Sequence, residues 1–459
     1  MSCFTWHKAL KKRMKKILLI ILLLTAGVVS AQEISPYLIG TNAWLPPWKP
    51  GSKIEYLWDE LRDGGVRMIR VGGRTAQNDP YTKEQIAGLV VSIHNIGAKA
   101  IIQVPYYFSK SQTQTLVEYI NSTRSLNVDY WSIGNEPDWG DYPMLVSEVA
   151  IYIRTISSAL KAFDPKIKVF APDLCWFNYD DYIKPLFVNA GPADVSGKDD
   201  NGNYYVDVLC WHKYGVDSLD DVEGKVDQAL SIIETINQTR PEGNKMTWAI
   251  TEFNSHWDNS QASEDQKVWS FHTGQIFAEV YDMAMRKDGL TICPWSIFES
   301  GGSRSSGDLG LFDLVSEKLK GRSSYYHTLM LGQNMKEHYL DSSDDNSSIS
   351  VSSMGDDSGF SVMIINKNDT ESYEYALGLN DEFPSEKQVN IKVAAGLDRI
   401  IFGSINPNTT LMQVFDAKGN LLKRYTYRQS DAENMRPPLI EHFRRCLQPI
   451  FLLLLDDKE

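Results

Sequence analysis

From residue 37 to about residue 335 the chain alternates eight times between a short apolar run and a longer amphipathic one. The apolar runs are residues 37–40, 68–71, 100–104, 130–133, 168–171, 206–211, 247–251 and 291–295. Between them lie stretches such as residues 84–96, 145–163 and 222–236. Their apolar side chains recur at three- and four-residue spacing, the period of a helix with one buried face. Strand–helix alternation of this kind predicts a parallel sheet. Eight units over this length fit one closed (β/α)8 barrel, a TIM barrel, over residues 36–335. The alternative is a doubly wound open sheet. No Gly-x-Gly-x-x-Gly follows the first run, so nothing in the pattern points to a nucleotide.

After Gly332 the texture changes. A polar turn at residues 341–348 leads into short alternating runs at 349–353, 360–365, 373–377, 389–393, 399–402 and 411–415. A hairpin turn at residues 417–420 precedes a last run at 421–427. Residues 336–428 therefore read as a small C-terminal all-β domain, sandwich-like and packed on the barrel. From residue 429 the chain no longer matches what precedes it, and it ends in an unpatterned apolar run. Residues 429–459 read as a truncated or frame-shifted tail, and no function is assigned to them.

The N-terminus reads as a targeting segment. Residues 8–16 carry six basic side chains, residues 17–29 are apolar, and Val29-Ser30-Ala31 offers a small-x-small cleavage site. Residues 1–31 are thus expected to be a signal peptide, and the mature protein to be secreted or periplasmic with no membrane partner. Its removal would take the net charge from −13 to −19, because the segment holds those six basic residues and no acidic one. So acidic a surface argues against nucleic acid as a partner. Cys175, Cys210 and Cys293 sit in apolar runs and read as buried free thiols. No Cys/His spacing suggests a metal, and no cofactor is expected. The oligomeric state is not legible.

The fourth run leads into Ile133-Gly134-Asn135-Glu136-Pro137. Gly134 breaks the strand, and Pro137 prevents it from continuing. An amide and a carboxylate are left side by side at a strand end, where a barrel of this kind does its chemistry. The seventh run ends in the same way, in Ile250-Thr251-Glu252-Phe253. Strand ends four and seven face each other across a barrel mouth. Two carboxylates about 5 Å apart there suit a retaining glycosidase, one as nucleophile and the other as acid and base.

On these two motifs the chain resembles the clan A glycoside hydrolases, a superfamily of retaining (β/α)8 glycosidases, with the family inside the clan unresolved. The resemblance covers the barrel. It implies Glu136 as acid/base, Glu252 as nucleophile, and Asn135 as a contact to the sugar 2-hydroxyl. Arg70, which ends the second run, would hold Glu252 ionised, or would be a structural ion pair. His212 and Tyr214 resemble the clan's His-x-Tyr after strand six, His212 touching substrate and Tyr214 bonding Glu252. Trp295 would form the aromatic floor beneath the sugar. Glu136 is expected to have the raised pKa of a proton donor and Glu252 to be the more readily ionised.

Further aromatics fall in the strand-end loops: Trp44, Trp48, Tyr106, Tyr107, Trp139, Trp176, Trp257 and Phe298. They read as platforms for several sugar units or as anchors packing on one another. Of these, Trp44, Trp139, Trp176 and Trp257 are taken as substrate-binding. Asn254, His256 and Asp258 follow the second carboxylate as polar candidates. The expected activity is retaining hydrolysis of O-glycosidic bonds in a plant or algal poly- or oligosaccharide. A non-catalytic carbohydrate-binding protein on the same barrel is the alternative.

Overall fold

A computed structural model describes residues 32–367, apart from Leu45, Pro50, Tyr142, Asp217, residues 343–345 and Ser358. Beyond these it describes the backbone of five short strands between Tyr373 and Arg428. The expected leader, the turn at residues 417–420 and the tail lie outside the described residues.

Eight parallel strands form the barrel in chain order: β1 (Gly40–Asn42), β2 (Met68–Val71), β3 (Lys99–Val104), β4 (Tyr130–Ile133), β5 (Lys168–Leu174), β6 (Val208–Lys213), β7 (Thr247–Phe253) and β8 (Gly289–Pro294). Each pairs with the next, and a parallel bridge between Ile39 and Ile292 joins the last to the first. The first strand starts later than the apolar run at 37–40. The chain turns first, Leu38 N–H donating to the Ser35 carbonyl, and pairs only from Ile39 onward.

Helices follow the strands as α1 (Trp58–Asp63), α2 (Lys83–Asn95), α3 (Lys110–Val117), α4 (Val146–Phe163), α5 (Lys184–Phe187), α6 (Leu219–Asn237), α7 (Phe271–Arg286) and α8 (Ser323–Asn334). The starts of α2 and α3 are fixed by capping boxes, Thr82 with Gln85 and Ser109 with Gln112.

Alternation along the strands sorts side chains into two cores. Ile69, Val71, Ile102, Val104, Trp131 and Ile133 face the helices. Met68, Ile101, Phe170, Cys210, Ala249 and Cys293 fill the barrel axis, with Tyr37 and Tyr130 packed against them. Trp131, Trp211 and Trp248 are wholly buried. Truncating a side chain of this kind to Ala costs about 3–5 kcal/mol.

The β domain begins before the barrel does. A two-residue strand, Gln32–Glu33, pairs antiparallel with His338–Leu340, which continues into Ile349–Asp356 and Gly359–Asn366. The segment ahead of the barrel thereby covers an edge that would otherwise expose unpaired backbone groups. The strand Ile349–Asp356 docks on α7, Ser350 Oγ donating to Glu279 Oε1 at 2.8 Å. Further along, Tyr373–Leu377 pairs with Val389–Val393, and Ile401–Asn406, Thr409–Phe415 and Leu421–Arg428 form a meander.

Candidate active site

Two residues beyond the apolar axial layer, toward the C-terminal strand ends, the same inward-facing positions turn polar. Met68 is followed by Arg70, Ile101 by Gln103, Tyr130 by Ser132, Cys210 by His212 and Ala249 by Thr251, all five polar side chains buried. Regular alternation alone would send Asp173 and Glu252 elsewhere. The pairing of β5 with β6 slips between Pro172 and Leu174, so Asp173 is an extra residue. That of β6 with β7 slips so that Trp211 faces Ile250 but His212 faces Glu252. These bulges re-aim side chains at the barrel rim. They let the neighbours Thr251 and Glu252 both point into the mouth.

On β4 the turn is made by Gly134 and Glu136, with φ of 73° and 47°. A Cβ on Gly134 would lie 2.0 Å from the Tyr106 ring, so only glycine fits. Glu136 N–H donates to the Asp173 carbonyl at 2.9 Å, which fixes the turn and aims its carboxylate inward.

Arg70 is the hub. Its Nη1 donates to Glu252 Oε1 at 2.8 Å and to Asn42 Oδ1 at 3.1 Å. Its Nη2 donates to Asp173 Oδ2 and Asn135 Oδ1, both at 2.7 Å. Because Arg70 fixes the carbonyl end of Asn135, the NH2 end is left to donate. Asp173, wholly buried, also accepts from Ser132 Oγ at 2.8 Å and from Thr251 Oγ1. Burial opposes its charge, but Arg70 and His212 overcome that and hold its carboxyl far below the usual range.

The two glutamates meet across the mouth. One oxygen of Glu136, one of Glu252 and a ring nitrogen of His212 lie within 4.8 Å of one another. Tyr214 Oη donates to Glu252 Oε2 at 2.7 Å, so both Glu252 oxygens are held.

His212 is not an open substrate contact, as the sequence suggested. It is wholly buried, with Nδ1 3.0 Å from Glu136 and 3.5 Å from Glu252, and Nε2 3.3 Å from Asp173. Burial disfavours its cation, but these three carboxylates raise its pKa to about 10. The expected order of acidities is corrected with it. Glu136 is pulled below its ordinary value, because the His212 hydrogen bond and charge outweigh burial. Glu252 is pushed up by complete burial, against the pull of His212 and Arg70.

Glu136, His212 and Glu252 are also the donor types a divalent cation takes. Here Glu252 is committed to Arg70 and Tyr214, and the three carboxylates around His212 favour its protonated form. The set fits proton chemistry better than metal ligation.

Trp295 leaves β8 and lies against Gly73, just beyond β2. A Cβ on Gly73 (φ 93°) would sit 2.4 Å from its ring. With Trp44, its centroid 5.9 Å away, it lines a cleft of about 440 Å³ shared with Arg74, Thr75, Asp79 and Glu299. Trp139, Trp176 and Trp257 stand on the rim, 45%, 47% and 56% exposed, together with Tyr107.

Other candidates lie elsewhere. Tyr106 is bonded to the Pro172 carbonyl, Trp48 packs edge-on to Tyr81, and Phe298 is buried; all three are loop anchors. Asn254 donates to the carbonyls of Trp295 and Leu309, and Asp258 caps a turn at Ser260. His256 is buried, accepts from Asp258 N–H and stacks under Trp257.

Asp173, Gln103, Asn42, Arg74 and Glu299 were not singled out from the sequence. Gln103 accepts from Arg70 and from Gly73 N–H. Glu299 meets Trp295 Nε1 at 3.4 Å, and burial raises its pKa to about 7. The signal for Asp173 was a charged residue extending the apolar run at 168–171.

No protein-family model matches the chain, and no curated protein matches it. Solved structures do. A monomeric β-xylosidase from Caulobacter crescentus CB15 superposes with a TM-score of 0.60 at 12% identity, over 93% of this chain and 95% of that one. A glucosidase from Croceicoccus marinus gives 0.59 at 14% identity, over 86% and 92%. A family 51 α-L-arabinofuranosidase from Bifidobacterium longum gives 0.59 at 11% identity, over 77% and 87%. At these identities the likeness is one of fold, a (β/α)8 barrel carrying a C-terminal β domain.

Proposed function

We propose that the protein is a retaining glycoside hydrolase that cleaves O-glycosidic bonds of a plant or algal poly- or oligosaccharide outside the cytoplasm. The observation that carries this is that one carboxylate oxygen of Glu136 lies within 4.8 Å of one of Glu252, from facing strand ends. An inverting pair stands roughly 6.5–9.5 Å apart, to admit a water.

In the first step Glu252 Oε attacks the anomeric carbon as the glycosidic C–O bond breaks. Glu136 gives its proton to the departing oxygen. In the second step Glu136 takes a proton from water, whose oxygen displaces Glu252. Arg70 and Tyr214 hold Glu252 in place and favour its carboxylate as leaving group. Asn135, its amide oriented by Arg70, offers N–H to the sugar 2-hydroxyl. Trp295 and Trp44 provide the apolar surface on which a sugar face stacks. Export rests on the basic–apolar–small pattern of residues 1–31.

A panel of aryl glycosides, with the anomer of the first product followed by proton NMR, tests the reaction. Retention is expected. A 2-deoxy-2-fluoro glycoside of the preferred sugar should then label Glu252 in the digested protein. Inversion, or no turnover across the panel, would overturn the reading.

A further inference from the structure

We propose that His212 is a positioning residue that stores the catalytic proton and delivers it to Glu136, with Asp173 holding the imidazole for the purpose. The inference rests on the roles given above to Glu136 and Glu252. It adds what those roles leave open, namely where the acid's proton resides before substrate arrives.

The geometry is that of a relay. His212 Nδ1 lies 3.0 Å from Glu136 Oε1 and Nε2 lies 3.3 Å from Asp173 Oδ1, and the ring is wholly buried. Nε2 is not aligned for a hydrogen bond to Asp173, so their attraction is that of charges in contact. The groups facing the ring are Glu136 beyond β4, Asp173 from β5 and Glu252 from β7, with Thr251 bonded to Asp173 and Tyr214 to Glu252. Arg70 from β2 stands behind Asp173 and Glu252. With every group charged, two cations, Arg70 and His212, face three carboxylates. A buried cluster carrying one net negative charge keeps the proton on His212 at neutral pH.

The proton must nevertheless leave for Glu136 to act as an acid. A sugar seated on Trp295 displaces water from the mouth, and a drier site favours a neutral Glu136–His212 pair over a charged one. The proton then moves from Nδ1 to Glu136 Oε1, leaving neutral imidazole and a carboxylic acid. Glu136 passes it to the departing glycosidic oxygen as that C–O bond breaks. In the second half, Glu136 takes a proton from the attacking water and returns it to Nδ1. The cycle closes with one proton moved each way and no other reactant. Until it attacks the anomeric carbon, Glu252 stays an anion, held by Arg70 and Tyr214.

The test separates this role from a structural one by the leaving group. On a dinitrophenyl glycoside, which departs without protonation, His212→Gln should keep kcat/KM within about threefold of the native enzyme. On a phenyl or alkyl glycoside of the same sugar it should lose about 10²–10³-fold, the usual weight of a general acid. The same loss on both substrates, or none on either, would overturn the relay. A wild-type measurement stands beside it in case the variant does not fold. Nitrogen-15 histidine NMR should show one imidazolium persisting above pH 8 in the free enzyme. It should become neutral when a fluoroglycoside occupies the site and Glu252 is esterified. A spectrum in which every histidine is neutral at pH 8 would overturn the proposal. Absence of wild-type turnover on both substrates would instead count against the glycosidase reading itself.

Discussion

Arg70 and Asp173 form an ion pair of 2.7 Å in which neither side chain meets solvent. The pair ties the second strand to the fifth, and the same guanidinium reaches Glu252 on the seventh. A cation so enclosed is stable only while its carboxylates stay, and the reverse holds for Asp173.

Removing one partner of such a pair leaves an uncompensated buried charge, at a cost of about 3–5 kcal/mol. Asp173→Asn is therefore expected to lower the denaturation midpoint strongly and to abolish turnover. The double change Arg70→Met with Asp173→Leu should recover much of the stability and none of the activity. Denaturant melts of the three proteins decide this. A single variant as stable as the native chain would show that the pair is not what holds the mouth together.

The two glutamates are expected to fail differently when removed. Glu136→Ala should cost about 10²–10⁴-fold on substrates with poor leaving groups. It should spare activated aryl glycosides, and added azide should restore turnover by taking the place of water. Glu252→Ala should be inactive on both classes without an external nucleophile. The opposite pattern would exchange their roles.

The barrel was legible because short apolar runs and longer amphipathic stretches alternate eight times along the chain. On five of its strands an inward apolar residue, such as Met68, Ile101 or Ala249, has a polar successor two positions on. Glu136 and Glu252 were visible because a carboxylate ending an apolar run is expensive unless it is used. Asp173 escaped because its inward aim depends on a bulge, and a bulge is a matter of pairing with β6 that no local pattern encodes. His212 was found by position but misread, since its burial depends on Glu136, Asp173 and Glu252 closing round it from three other strands. The strand at Gln32–Glu33 escaped for a similar reason: its partner lies some three hundred residues away in the chain.

Acid should unfold the protein in part through His327. Burial lowers its pKa from 6.5 to about 4, so the folded chain keeps it neutral while the unfolded chain takes up a proton. Between about pH 6.5 and 4 the unfolded state thus binds more protons, and stability falls as pH falls. The largest loss is about 3 kcal/mol. His327→Gln, whose amide can still donate to the Ser323 carbonyl, should flatten this part of the stability profile. Denaturant midpoints at pH 7, 5.5 and 4.5 check it. An unchanged slope in the variant would remove His327 from the account.

The rim predicts a long, neutral substrate. The cations that the sequence offered near the mouth are engaged: Lys213 with Asp221 and Arg304 with Asp313. Arg74 lines the cleft, but its guanidinium lies 3.8 Å from the Trp139 ring centroid and forms a stacked platform with it. A strongly anionic glycan needs paired cations for its carboxylates or sulfates, and the acidic chain would repel it on approach. The exposed rings of Trp139, Trp176 and Trp257 suit uncharged sugar faces beyond the reacting unit. Trp176→Ala and Trp257→Ala should raise KM for a neutral oligosaccharide several-fold and leave an aryl monoglycoside untouched. The native enzyme should prefer neutral to uronate or sulfated oligosaccharides at every salt concentration. A preference for the anionic series that weakens as salt rises would reverse the assignment, and would make Arg74 the residue to replace next.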